Sequence, residues 1–478
     1  MSEARTILRH SPVYLTASLL NRGAGFLLVV IYTRFLAPSG YGLVGAAMAA
    51  GEAIGILLSL QLAEALSRLF FDHAGDTGRA DIVATALIGI LGLTVVGTGP
   101  LLLVAPLIAG FVAGDRAAAD AIVIASLAVG CDAMLAAGLH TLRAELRSAA
   151  VLGWSGARSA MLLAISGLLV GILDYGALGA LVGLLAANTI AAIALGTMLL
   201  LRGGRFRWTL FRALIGYGAP LCPAWFADSA AKFVERAAIV QRSGLAAAGL
   251  WYLALRLADV LSTLVHGPFA QVFVVRRYQL HRDGSPDSES SSIFSVFLAV
   301  MAWGAVALSA IAPEAVTLVS GPSFAAAAPL VPAAVAAVAV FSVTTMVEMR
   351  LYLAKRPARI TAAVLVSALV HGALAFWAAA QWGVTGVAWA RLVATCFRVL
   401  CLAVAARGLP GPSAEWWRVF GIAVLAGVSI AACAAMAGHD GWTSMMVRAG
   451  IVLTFPLLVL STPIASPMLR YRLLRRIR

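Results

Sequence analysis

The chain has 478 residues, 62% of them hydrophobic and only 12% charged, against roughly 25% charged in an ordinary soluble domain, and this excludes a water-soluble fold. The formal net charge of +14 would suit nucleic acid if the basic residues formed one patch. They are instead spread in a pattern set by membrane topology, so no nucleic-acid partner is expected.

A bilayer core of about 30 Å takes roughly 20 apolar residues per helical crossing. Apolar runs bounded by Arg, Gly, Pro or Asp predict helices at 13–35, 42–66, 82–112, 119–140, 150–172, 177–200 and 211–231. Seven more follow at 246–274, 292–312, 328–353, 360–380, 384–405, 418–437 and 443–463. The fold class is therefore an all-α polytopic membrane protein with about fourteen transmembrane helices. Glu3, Arg5 and Arg9 precede a span-length apolar run without a small-residue cleavage site, so the first helix is expected to remain in the mature protein. The longest polar connector, DGSPDSESSS at 283–292, leaves no room for an extramembrane catalytic domain.

With both termini on the cytoplasmic side, the inner segments collect 24 of the 35 basic residues. The opposite side receives Arg34, Arg116, Lys232, Arg236 and Arg242. This asymmetry follows the positive-inside rule and supports both helix count and orientation.

Comparing the chain with itself at an offset of 207 residues aligns its rarer residues. Tyr175, Gly176 and Gly179 fall on Trp382, Gly383 and Gly386; Gly42 falls on Gly249, Glu52 on Asp259, and Arg143 on Arg350. Because the offset spans six helices, both halves enter the membrane in the same direction, as parallel repeats. The expected organisation is a six-helix lobe at 1–204, a second at 205–410, and two further helices with a basic tail at 411–478.

A charge at the bilayer centre needs a partner, a hydrated cavity or a function. Such residues are Arg22, Glu52, Asp132, Arg256, Asp259 and Arg391, together with Asp228, Lys232 and Glu235, which share one face of the seventh helix beside Arg236. One reading makes Arg22, Arg34, Lys232, Arg236 and Arg256 ligands for an anionic headgroup, since arginine donates paired hydrogen bonds to phosphate oxygens. The alternative is internal neutralisation, pairing Asp228 with Lys232, Arg256 with Asp259 and Glu64 with Arg68. Glu52 and Asp259, at equivalent repeat positions, are the candidates for ion coupling, ahead of Asp132, His266 and His371. The five cysteines lack metal-ligand spacing and read as packing residues, and neither a metal nor a cofactor is expected. Trp416, Trp417 and Trp442 read as interfacial anchors. No water-facing loop carries a catalytic motif, which argues against an enzyme.

The stretch from Leu19 to Asp72 contains TRFLAPSGYGLVGAA at 33–47 and LAEALSRLFFD at 62–72. It resembles the polysaccharide flippase family, the O-antigen and exopolysaccharide translocase branch of the multidrug/oligosaccharidyl-lipid/polysaccharide exporter superfamily. The residues that carry the resemblance are Arg34, Leu36, Pro38, Tyr41 and Gly42, then Ser67, Arg68 and Phe70. It implies a polyprenyl-diphosphate-linked oligosaccharide as substrate, flipped from the cytoplasmic to the periplasmic leaflet of a bacterial inner membrane by alternating access. It also implies work for lipopolysaccharide or exopolysaccharide synthesis beside glycosyltransferases and a polysaccharide polymerase. A cation-coupled multidrug antiporter of the same fold is the alternative, and a membrane glycan polymerase or ligase a more distant one.

Overall fold

The computed structural model describes residues 20, 23–72, 75–282, 288–409, 415–436 and 441–461. Every regular element among them is helical. In hydrocarbon no water is available for a free backbone amide, so a spanning segment satisfies its own hydrogen bonds as a helix. Arg22, Arg5, Arg9 and the arginines after residue 469 lie outside the described residues.

Eleven helical runs are long and apolar enough to cross a membrane. Two of them are double: Trp208–Tyr278 turns back at Gly244 (φ 82°), and Pro357–Ala405 at Gly383 (φ 60°). Both turns need the left-handed backbone that glycine adopts without a Cβ clash. Adding the shorter apolar helix Gly23–Phe35 gives fourteen among the described residues, the number expected.

In chain order these are α1 (Gly23–Phe35), α2 (Pro38–Ser59), α3 (Asp76–Val112), α4 (Ala119–Ala144), α5 (Ser148–Ser166), α6 (Gly176–Leu200) and α7 (222–243). They continue as α8 (245–278), α9 (Ser288–Ala310), α10 (Pro322–Leu353), α11 (357–382), α12 (384–405), α13 (Trp416–Met436) and α14 (Trp442–Ser461). Two irregular turns lie beside prolines, whereas Pro100 and Pro106 stand inside α3. A 3-10 turn containing Pro220 joins Trp208–Gly218 to α7, and a π turn, Ser262–His266, precedes Pro268 within α8.

The apolar pattern predicts an end near 231 for the seventh helix, although the charge spacing already carries Lys232, Glu235 and Arg236 on it. The structure corrects this: α7 continues to 243. Glu235 is 1% exposed and Arg236 8%, so the charges on this added stretch are buried within protein, where apolar side chains are not needed to sustain the helix.

The chain divides into two compact units, Met1–Gly249 and Leu250–Arg478. In the first, α4 packs on α2, α3 and α6, around a core that includes Leu87, Ile90, Leu135, Leu142, Leu195 and Leu199. In the second, α9 packs on α10, α13 and α14. Arg448 of α14 joins Glu314 through a fork of two hydrogen bonds, 2.5 and 3.1 Å, and donates to the carbonyl of Ala310. Trp303 Nε1 donates to the carbonyl of Val452 at 2.9 Å. The last two helices are thereby tied to the body of the second unit.

The duplication is visible in the backbone. Gly176 (φ 56°) and Gly383 (φ 60°), 207 positions apart in the sequence, open α6 and α12 with the same left-handed turn. Within the first unit, the start of α8 crosses α2 at the repeat-related pair Gly42 and Gly249. A Cβ on Gly42 would lie 1.9 Å from the carbonyl oxygen of Leu245 and 2.9 Å from the nitrogen of Gly249. A Cβ on Gly249 would lie 1.9 Å from the carbonyl oxygen of Pro38 and 2.9 Å from the nitrogen of Gly42. The two contacts are the same with partners exchanged, as a local twofold requires.

A methyl group at either position has backbone to displace rather than a flexible side chain. Gly42→Ala and Gly249→Ala are each expected to cost roughly 1–3 kcal/mol of stability, read as a lower thermal midpoint of the detergent-solubilised protein. Gly427→Ala, whose Cβ meets nothing within 4 Å, should leave the midpoint where it is. Equal midpoints for all three variants would reject the crossing.

Candidate functional site

Among the residues expected to carry function, the first unit brings three together. Lys232 Nζ lies 3.6 Å from Asp228 one helical turn below it and 3.9 Å from Glu52 on α2. All three side chains are between one third and one half exposed. Two carboxylates against one ammonium leave this cluster with a formal excess of negative charge. Glu235 and Arg236, on the same helix, are buried. Arg34 stands exposed in the last turn of α1.

In the second unit Arg256 meets Asp259 at 3.6 Å and donates to the Tyr252 hydroxyl at 2.6 Å, with its guanidinium 4.9 Å above that ring. Asp259 is therefore engaged locally by Arg256. His266 shares a 2.9 Å hydrogen bond with Thr345 and is flanked by the rings of Phe297 and Phe341.

Two of the three pairings proposed as internal neutralisation are present, Asp228 with Lys232 and Arg256 with Asp259. The third is corrected. Arg68 pairs with Asp72 at 2.7 Å, while Glu64 faces His140 Nε2 at 3.8 Å. Acids stand at i−4 (Glu64) and i+4 (Asp72) from Arg68, and the fold places the downstream one nearer.

A second polar constellation escaped the sequence reading apart from Asp132. Arg158 on α5 donates to Asp132 on α4 at 3.1 Å and to the Asn188 side-chain oxygen on α6 at 2.8 Å. The amide nitrogen of Asn188 donates in turn to the carbonyl of Ala128, at 2.9 Å. This network binds three helices of the first unit. Its signal in the sequence is an arginine in mid-span with no acid in its own helix, which demands a partner from elsewhere.

Residues 7–274 match the family model described as polysaccharide biosynthesis protein, more than half of the chain. Comparison with the curated proteins returns no match. Among solved structures, an inward-closed structure of the lipid II flippase MurJ is similar over 97% of this chain and 99% of its own, with TM-score 0.73 and 14% identity. An inward-facing multidrug resistance MATE family transporter of the MOP superfamily matches 85% of this chain and 95% of its own, with TM-score 0.64 and 14% identity. An outward-facing transporter of that kind matches 87% and 96%, with TM-score 0.56 and 15% identity. At these identities the likeness carries the fold: this is a multi-pass membrane protein with the architecture those flippases and transporters share.

The Arg158 network has a direct test. Arg158→Leu leaves Asp132 and Asn188 without their donor and is expected to cost about 2 kcal/mol. Asp132→Leu combined with Arg158→Leu should recover part of that loss. A thermal double-mutant cycle reads the coupling, and strictly additive midpoints would mean that the pair is not formed.

Proposed function

Because the chain belongs to the polysaccharide biosynthesis protein family, we propose that it moves a polyprenyl-diphosphate-linked oligosaccharide from the cytoplasmic to the periplasmic leaflet, as a step in cell-surface polysaccharide synthesis. The observation that carries this reading is coverage. The fold of a lipid flippase spans 97% of the chain, whereas that of a multidrug transporter, itself matched at 95%, spans 85%. This chain thus has more membrane structure than a multidrug transporter, and that surplus is what a lipid-tailed substrate gives a reason for.

On this reading the protein resides in a bacterial inner membrane with both termini cytoplasmic. The lobes 1–204 and 205–410 alternate access to the two leaflets, and 411–478 supplies the additional helices. Lys232, Arg236 and Arg256 are the proposed diphosphate ligands, with Arg22 and Arg34 in the same set. Lys232 and Arg256 rest on carboxylates, so binding is an exchange of partners: a phosphate oxygen replaces Asp228 or Glu52 at Lys232, and Asp259 at Arg256. As a phosphate takes over each cation, protonating the displaced carboxylate leaves no unpaired charge behind, which gives Glu52 and Asp259 a role in coupling transport to protons. Glycosyltransferases and a polysaccharide polymerase are the proposed neighbours.

The Glu52, Asp228 and Lys232 cluster, with its negative excess, favours one other reading, a cation-coupled multidrug antiporter. A strain lacking the gene separates the two. The flippase reading expects lipid-linked oligosaccharide to accumulate, cleared by the wild-type protein but not by Lys232→Ala with Arg256→Ala. Absence of such a pool, with raised sensitivity to cationic drugs, would replace it with the antiporter.

A further inference from the structure

The arginine-bearing ends of α10, α11 and α12 in the second unit carry a feature that substrate transport does not use. Two grooves flank α12. One, of 380 Å³, lies between α10 and α12 and reaches the start of α13; its apolar wall includes Val347, Leu400 and Val404, and Arg350, Arg407 and Trp416 stand in its lining. The other, of 510 Å³, lies between α11 and α12, with Val366 and Phe397 in its wall and Arg359 in its lining. Leu400 and Val404 belong to both and form the ridge that divides them.

Two of the arginines are held in place. Arg350 donates through Nη2 to the carbonyl of Leu409 at 2.5 Å, and Arg359 through Nη1 to the carbonyl of Ala405 at 3.1 Å. Both thus cap carbonyls at and just beyond the end of α12, a structural role that cations at a helix C-terminus commonly fill. That role accounts for neither Arg407, which is exposed, nor Trp416, whose indole is 45% exposed beside it. Glu415, the acid adjacent to Trp416, is paired with Arg418.

Apolar grooves that end in fixed guanidinium groups and an indole match one ligand chemistry. We propose that this surface binds an anionic membrane phospholipid, its phosphate between Arg350 and Arg407 and its acyl chains laid in the two grooves astride the Leu400–Val404 ridge. A zwitterionic lipid brings an ammonium to the same arginines and gains less. A free phosphate gains nothing from the grooves. The site is independent of the transported substrate, since it uses none of the residues assigned to the diphosphate.

The test is native mass spectrometry of the full-length protein in detergent, offered phosphatidylglycerol or phosphatidylcholine. The expected result is preferential retention of phosphatidylglycerol, reduced roughly thirtyfold by Arg350→Gln with Arg407→Gln, the scale of two lost phosphate contacts at a membrane surface. Arg407→Gln alone removes no cap and should still weaken retention. Leu400→Trp, at an exposed position, fills the ridge and should weaken it without lowering the thermal midpoint. Equal retention of the two lipids, wild-type retention by the arginine variants, or displacement by excess inorganic phosphate would each overturn the proposal.

Discussion

Hydrocarbon offers no solvent to an unpaired charge, and this constraint organises the interior of the protein. The embedded cations whose contacts are described above meet carboxylates in three ways. Lys232 and Arg256 use acids one turn away on their own helix. Arg158 reaches across to α4 and α6. Arg448 reaches from α14 to Glu314 with a two-pronged bond. The first kind closes within one helix, although Lys232 also approaches Glu52 on α2 at 3.9 Å, and the other two fasten helices together, so the same electrostatic requirement yields local pairs in one place and tertiary clamps in another. Exchangeable local pairs suit a binding surface; cross-helix forks suit a frame.

The duplication places a second constraint on the backbone. Gly42 and Gly249 let α2 and the start of α8 approach until one helix's carbonyl occupies the space of the other's missing side chain. Without a hydrophobic driving force between helices in lipid, such close approach gathers dispersion contacts that larger residues would prevent. The reciprocity of the contact follows from the repeat, since each partner sees what the other presents.

How much of the site was legible followed the range of the interactions. Asp228 with Lys232 and Arg256 with Asp259 were readable because a helix brings positions three and four apart to one face. Glu52 beside Lys232 was not, because 180 residues separate them and nothing in either segment names the other. Arg158, with no acid in its own helix, called for a partner from elsewhere, but nothing in the sequence named Asp132 or Asn188. Glu64 and Arg68 carried the right spacing and still chose other partners, since Asp72 offered Arg68 an equivalent spacing on the opposite side. The end of α7 was misplaced for a related reason: burial inside protein makes charged residues acceptable in a membrane helix, and hydropathy registers only the charge.

The sequence by itself determined the membrane class, the fourteen helices and the duplication at 207 residues, because each depends on hydropathy, helix length and glycine-bearing turns that are local properties of the chain. It also identified the family, through the short motif at the first helix turn. Only the tertiary structure decided which charges meet, where the seventh helix ends, and how Leu400 and Val404 come to divide two grooves rimmed by arginine. Those outcomes depend on which faces of separate helices pack together. Helix periodicity fixes a residue's angle on its own helix but leaves open which neighbour it faces.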